Sequence, residues 1–233
     1  MIAALTFDTA QRLTAVGFGA AIFQHSSEHL VAAADEQRLQ GARALAAICL
    51  VFDFHNGFVC GVLVVLHVLI LRRFSGPYNG GSDRMALLGT TSLMLSYGLP
   101  TARLRELALG YLALQVVLSY AISGWVKIVN PAWRSGHALR DVFAFSEYPV
   151  SEHLRGLAQH ARVLLVASWA VMLFELAFPF ALMSQRLLLV ALAIGATFHL
   201  ANACLFGLNR FLWIWLATYP SLLWLQARII GAP

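Results

Sequence analysis

The chain is poor in charge. Only 12% of its 233 residues are Asp, Glu, Lys or Arg, against about a quarter in soluble globular domains. Too few polar side chains remain to cover the surface of a soluble enzyme. Disorder is excluded as well, because 60% of the residues are hydrophobic and disordered chains are poor in apolar residues. Cysteine is scarce: Cys49, Cys60 and Cys204 stand alone, without a CxxC pair. A disulfide framework and a zinc site therefore lack support, no metal site is expected, and the three thiols read as small core residues. The N-terminus shows neither the basic n-region nor the small-residue cleavage site of a signal peptide. No internal repeat, low-complexity tract or separate soluble domain interrupts residues 1–233, which read as one membrane domain.

What is present is apolar length. Mean hydropathy is +0.73, and a helix needs roughly 20 apolar residues to cross a bilayer. Val163–Met183 and Leu187–Leu208 are plain spans, separated by Ser184, Gln185 and Arg186. Leu107–Val129 follows the polar step Arg103–Glu106, and Phe211–Leu225 is a shorter run. Ala44–Leu71 suits one tilted helix or two short segments broken near Asn56–Gly57. Met85–Leu99 and Ala15–Phe23 are marginal. The runs are continuously apolar, without the alternation of barrel strands. The expectation is an all-α, polytopic transmembrane bundle of six or seven helices. Two longer polar connections remain, His25–Arg43 and Asn130–Arg162, the second suited to a surface loop or short amphipathic helices.

A formal charge of +5 would suggest nucleic acid in a soluble chain; here the arginines cluster at helix ends, so membrane lipids are the expected partners and nucleic acid is not. Arg72, Arg73, Arg103, Arg105, Arg186 and Arg228 sit at helix ends, where they anchor to head groups. Their distribution leaves the orientation open.

Charged groups inside apolar runs cost about 2.5–3.5 kcal/mol each at mid-bilayer on insertion scales, so each asks for a reason. Lys127 is the chain's only lysine among 16 basic residues. It closes an apolar helix in Tyr120-Ala-Ile-Ser-Gly-Trp-Val-Lys-Ile-Val-Asn130, with Ser123 and Gly124 on its own face. Gly124 leaves room for a ligand or for another backbone beside the amine. Arginine keeps its proton in proteins, whereas a lysine held away from water can release one and serve as a general base. The plainer alternative is that Lys127 snorkels out past Asn130-Pro131. Glu175 lies deep in Phe174-Glu-Leu-Ala-Phe-Pro179, where Pro179 leaves the carbonyl of residue 175 without its helical donor. It suits catalysis, a bundle-facing ion pair or a structural carboxylic acid. His199 and Asn202 share a face one turn apart, continued by Asn209, a stripe that usually makes a hydrogen-bonded helix seam. Asp53 and His55 flank a helix break or mark a connection outside the membrane.

Ile122-Ser-Gly-Trp-Val-Lys-Ile-Val-Asn-Pro-Ala-Trp-Arg-Ser-Gly136 resembles the lysine motif of the vitamin K-dependent gamma-carboxylase superfamily, with Gly124, Lys127, Trp133 and Gly136 at the motif positions. The bacterial branch of that superfamily is the HTTM (horizontally transferred transmembrane) domain. A second block is similar, Phe174-Glu-Leu-Ala-Phe-Pro179 with Phe198-His-Leu-Ala-Asn-Ala-Cys-Leu-Phe206 and Phe211. A weaker third is Asn79-Gly-Gly-Ser-Asp-Arg84, like a Gly-Gly-Asp-Arg turn. The resemblance implies a multi-pass protein of a bacterial inner membrane. It also implies that the lysine at position 127 is the base that deprotonates a reduced quinone, vitamin K hydroquinone in the carboxylases. There oxygen turns the hydroquinone into an epoxide, and the strongly basic intermediate takes a proton from a glutamate gamma carbon, whose carbanion captures carbon dioxide. Lys127, Glu175 and His199 are then the catalytic candidates, and Gly124, Trp133 and Asn202 the candidates for holding the quinone. Two departures limit the transfer: the chain ends at Pro233 without the large non-membrane region of the animal enzymes, and Asn209-Arg210 replaces the glycine that usually precedes the phenylalanine at 211.

Two functions follow as expectations. One is a membrane enzyme doing base-initiated, lyase-like chemistry on a quinone or peptide substrate. The other is a non-enzymatic membrane subunit that assists a protein partner in peptide maturation, export or immunity. A transporter is disfavoured, because no paired Gly/Pro-broken helices suggest a midplane site.

Overall fold

A computed structural model describes residues 5–29, 34–73, 81–145 and 152–230, and among them no strand occurs. The helices are α1 (Phe7–Glu28), α2 (Ala34–Val51), α3 (Asn56–Arg73), α4 (Gly81–Gly98), α5 (Ala102–Val129), α6 (Pro131–Arg134), α7 (His137–Phe145), α8 (Glu152–Arg155), α9 (Ala161–Ala177), α10 (Gln185–Phe206) and α11 (Asn209–Ile230). Among the described residues, four helical stretches are long and apolar enough to cross a bilayer: Asn56–Arg73, Ala102–Val129, Ala161–Met183 and Gln185–Phe206. The all-α membrane architecture is therefore present. The marginal runs and the shorter Phe211–Leu225 run fall in α1, α4 and α11, outside these four.

The chain forms two compact units. The first comprises Met1–Leu114 and Arg210–Pro233. In it α1 packs on α2, α3 on α4, and the pairs join through α2–α3 and α1–α4, around Phe18, Ile22, Leu50, Leu63 and Leu93, all fully buried. Ala44–Leu71 proves to be two helices with a connection at residues 52–55. Asp53 and His55 form that connection, exposed and with φ of 64° and 47°. Arg12 of α1 donates to the carbonyls of Leu50 (2.9 Å) and Val51 and lies 3.8 Å from the Asp53 carboxylate, closing the end of α2.

Three readings of the sequence change here. Arg43 is no part of a polar connection but a fully buried residue of α2, its guanidinium on His25 (3.2 Å), Gln40 (3.4 Å) and His67 (3.1 Å). Asp83 lies 3.8 Å from His25 in the same cluster. Gly81–Arg84, expected in a turn, make the first turn of α4, while Asn79 and Gly80 lie outside the described residues. Of the thiols, Cys60 is buried, Cys49 half-buried and Cys204 exposed. A lipid-facing position is as apolar as a core one, so hydropathy does not separate them.

The second unit is Gln115–Asn209. Asn130 caps α6 by accepting from the Ala132 N–H (2.9 Å), with Pro131 at its first position. Of the two forms expected for the Asn130–Arg162 connection, a loop or short helices, its described part takes mainly the second, and Ala161 and Arg162 already open α9. They lie against α9: Ser168 donates to the Trp133 carbonyl (2.6 Å) and Trp169 to that of Arg134 (3.1 Å). Phe143, Leu164 and Phe206 form a core cluster behind them. Without an N–H at Pro179, α9 gives way to a 3-10 turn at Phe178–Met183. Ser184 then caps α10, accepting from Leu187 N–H at 3.2 Å.

Candidate functional site

Tyr120, Ser123, Gly124 and Lys127 repeat at helical spacing along one face of α5. That face meets α9 closely at Gly124. A Cβ added there would stand 2.8 Å from the Leu176 backbone nitrogen and 3.0 Å from the Glu175 Cβ. Of the two uses foreseen for this glycine, the space is taken by another backbone. Gly136 acts similarly: its φ is +78°, and an added Cβ would meet the Leu165 Cα at 3.0 Å, so the α6–α7 turn can press onto α9.

The close approach of α5 and α9 brings Lys127 to Glu175. The Lys127 Nζ donates to Glu175 Oε1 (2.7 Å), Glu175 Oε2 (2.6 Å) and Ser123 Oγ (2.6 Å). Ser123 in turn donates to Glu175 Oε1 at 3.1 Å. An ammonium group has three hydrogens, and here three acceptors meet them. Lys127 does not snorkel to solvent: its side chain is 16% exposed and that of Glu175 4%. The amine also faces an aromatic ring, with the Trp133 centroid 5.3 Å from Nζ, within cation–π range.

His199 is buried but joins a different partner. Its Nε2 lies 2.8 Å from the Tyr120 hydroxyl. Tyr120 precedes Lys127 by seven residues, about 10 Å along the helix axis. The Tyr120 ring stacks on Phe178 (centroids 4.1 Å, planes 23° apart) and meets Phe174 edge-on at 5.7 Å. Tyr120 thus joins His199 to the Phe174–Phe178 aromatic cluster, and Phe174 immediately precedes Glu175 in α9. Asn202 is half-buried one turn beyond His199, and its backbone carbonyl accepts from the Leu208 N–H (3.3 Å) at the end of α10. Tyr120 is a site residue that composition alone does not single out. Its signal was its place at positions −3 and −7 from Ser123 and Lys127.

Two apolar grooves between α9 and α10 border the trio. One, of about 250 Å³, is lined by Phe174, Phe178, Ala181 and Val190 among others. The other, of about 420 Å³, is lined by Phe174, Ile194, Thr197 and Phe198 among others. Among the described residues, no group of three or more His, Cys, Asp or Glu side chains could hold a metal ion.

The HTTM domain model matches residues 101–226, more than half of the chain and all of the site. The chain belongs to the HTTM domain family. With four helices fit to cross a bilayer, it is an integral membrane protein. No curated protein and no solved structure matches it.

Proposed function

We propose that Lys127, Glu175 and Ser123 are the proton-handling centre of a membrane enzyme, acting on a lipid-soluble substrate of the reduced-quinone class and coupling it to modification of a small molecule or peptide. The observation that supports this is the Lys127 amine held by both oxygens of Glu175 within apolar helices. Such a pair can exist as ammonium with carboxylate or as amine with carboxylic acid. In a low-dielectric surrounding the exchange of one form for the other is far cheaper than in water, because both charges vanish together. With its proton parked on Glu175, the Lys127 amine can accept one from an acidic hydroxyl, and Glu175 can return its own. Ser123 bridges the two groups and keeps the carboxylate oriented. Tyr120 and His199 hold the Phe174–Phe178 wall in place.

The residues present fit a reduced quinone. Trp133, Phe174 and Phe178 offer aromatic surfaces, and the two grooves that share Phe174 suit an isoprenoid tail. When bound, the quinone would supply the acidic hydroxyl and the reducing equivalents. On the same resemblance, the reading extends to the bacterial inner membrane.

The test is oxygen uptake by the purified protein in lipid nanodiscs, driven by a reduced naphthoquinone. Uptake that is lost in both Lys127→Met and Lys127→Arg supports the reading. Uptake retained in Lys127→Arg would overturn it, since arginine cannot give up its proton.

One observation favours the second reading, a non-enzymatic subunit working with a protein partner in maturation, export or immunity. All three Lys127 donors are met by the protein itself, as in a staple between helices. In that case the Lys127→Met/Glu175→Leu double variant, which keeps a packed apolar contact, would still co-purify with the partner and support its function.

A further inference from the structure

A second feature lies in the first unit, on residues unrelated to the lysine centre. The N-terminal part of α5 and the C-terminal part of α11 enclose a groove of about 1020 Å³, at the upper end of ligand-sized pockets. Arg103, Glu106 and Gly110 line it from one face of α5, with Leu107, Tyr111 and Leu114 beside them. Trp224 and Arg228, one turn apart, line it from α11.

The groove is amphipathic along its length. At one end are two guanidinium groups and one carboxylate. Arg228 lies 3.4 Å from Glu106 and is 65% exposed. Arg103 is exposed and makes no ion pair or side-chain hydrogen bond among the described residues. The neighbouring Arg105 is engaged elsewhere, donating to the Leu99 carbonyl at 2.8 Å. A cationic excess therefore remains at this end, next to the positive N-terminus of α5. Further along, the walls are apolar and open, with Leu107 59%, Tyr111 52% and Leu114 47% exposed. Gly110 deepens the floor: the nearest atoms to a Cβ placed there are Leu225 Cδ1 at 3.6 Å and Trp224 Cζ3 at 3.7 Å.

A ligand matched to both ends carries a negative head and an aliphatic chain. We infer that the groove is a site for one anionic phospholipid, its phosphodiester on Arg103 and Arg228 and one acyl chain laid over Gly110 towards Leu114. This goes beyond head-group anchoring, because a groove with one free arginine selects a lipid by both charge and chain. The occupant is a lipid because α5 is long and apolar enough to cross a bilayer, and the exposed apolar wall of Leu107, Tyr111 and Leu114 suits an acyl chain and offers a free anion nothing.

The experiment uses the full chain in a mild, uncharged detergent, with thermal unfolding and native mass spectrometry as readouts. Phosphatidylglycerol is titrated against phosphatidylcholine of the same chains and against inorganic phosphate. The expected result is one retained phosphatidylglycerol per chain and a rise in Tm that neither control gives. Arg103→Gln, which breaks no contact of the protein, weakens the effect about fivefold. Gly110→Leu fills the floor without touching charge and weakens it as well. Equal stabilisation by phosphatidylcholine, or by inorganic phosphate alone, would overturn the assignment. So would an Arg103→Gln protein and a Gly110→Leu protein that both bind as the parent does.

Discussion

Lys127 and Glu175 depend on each other in a way that changes what a single substitution can report. Removing the amine leaves a nearly buried carboxylate whose remaining polar neighbour is Ser123. Breaking a buried pair on one side costs about 3–5 kcal/mol, whereas replacing both partners by packed apolar groups is often neutral. Lys127→Met is therefore expected to destabilise the protein by about that amount, and Lys127→Met/Glu175→Leu to recover most of it. Unfolding in graded SDS checks the pattern, and the coupling term of the double-mutant cycle isolates the pair. A single variant that unfolds like the parent would mean the two side chains do not depend on each other. The same cycle guards the activity test, because loss of oxygen uptake in a protein that has also lost its fold would say nothing about proton transfer.

At the scale of elements, the pair exists only because α5 and α9 touch backbone to backbone. Gly124→Ala forces its new methyl to within 2.8 Å of the Leu176 nitrogen, so the helices must part, at a cost of about 1–3 kcal/mol. Gly41→Ala in α2 is the control. Nothing lies within 4 Å of its added Cβ, and alanine in a helix interior gains about 0.5–1 kcal/mol over glycine. A drop in Tm for Gly124→Ala beside an unchanged or raised Tm for Gly41→Ala confirms that the contact, and not helix propensity, governs the site. This contact also marks where sequence reading stops. Helices were legible, because a chain in lipid must satisfy its own backbone and leaves continuous apolar runs as the trace. Lys127 stood out as the chain's one lysine, and Glu175 as an acid amid apolar residues. Their distance apart was invisible, since 48 residues separate them and only helix packing joins them. Tyr120 and His199 are joined across 79 residues in the same way. Arg43 was hidden more deeply: His25, Gln40 and His67 come from three helices, and each looks unremarkable in its own stretch.

Taken as a whole molecule, the chain places large hydrophobic side chains outward as freely as inward. In α9 and α10 alone Val166 is 70% exposed, Val190 58% and Ile194 48%, a surface that water would not tolerate in a monomer but hydrocarbon accepts. A lipid-facing position is as apolar as a core one, so hydropathy signals a membrane helix without saying which side faces lipid. Ile194 tests that surface, because it sits near the middle of the 22-residue helix α10 and lines both apolar grooves. In a chain whose Cys49, Cys60 and Cys204 are replaced by serine, Ile194→Cys is expected to resist a charged, water-soluble maleimide in intact membranes. An uncharged lipophilic maleimide should label the same thiol. Reaction is slow in any case, since the thiolate is the reactive form, so the decisive quantity is the ratio between the two reagents. Extraction into detergent, followed by denaturation, should make that ratio fall towards one. Prompt labelling of native membranes by the charged reagent would place Ile194 in water, and α10 would then line an aqueous path instead of crossing among acyl chains.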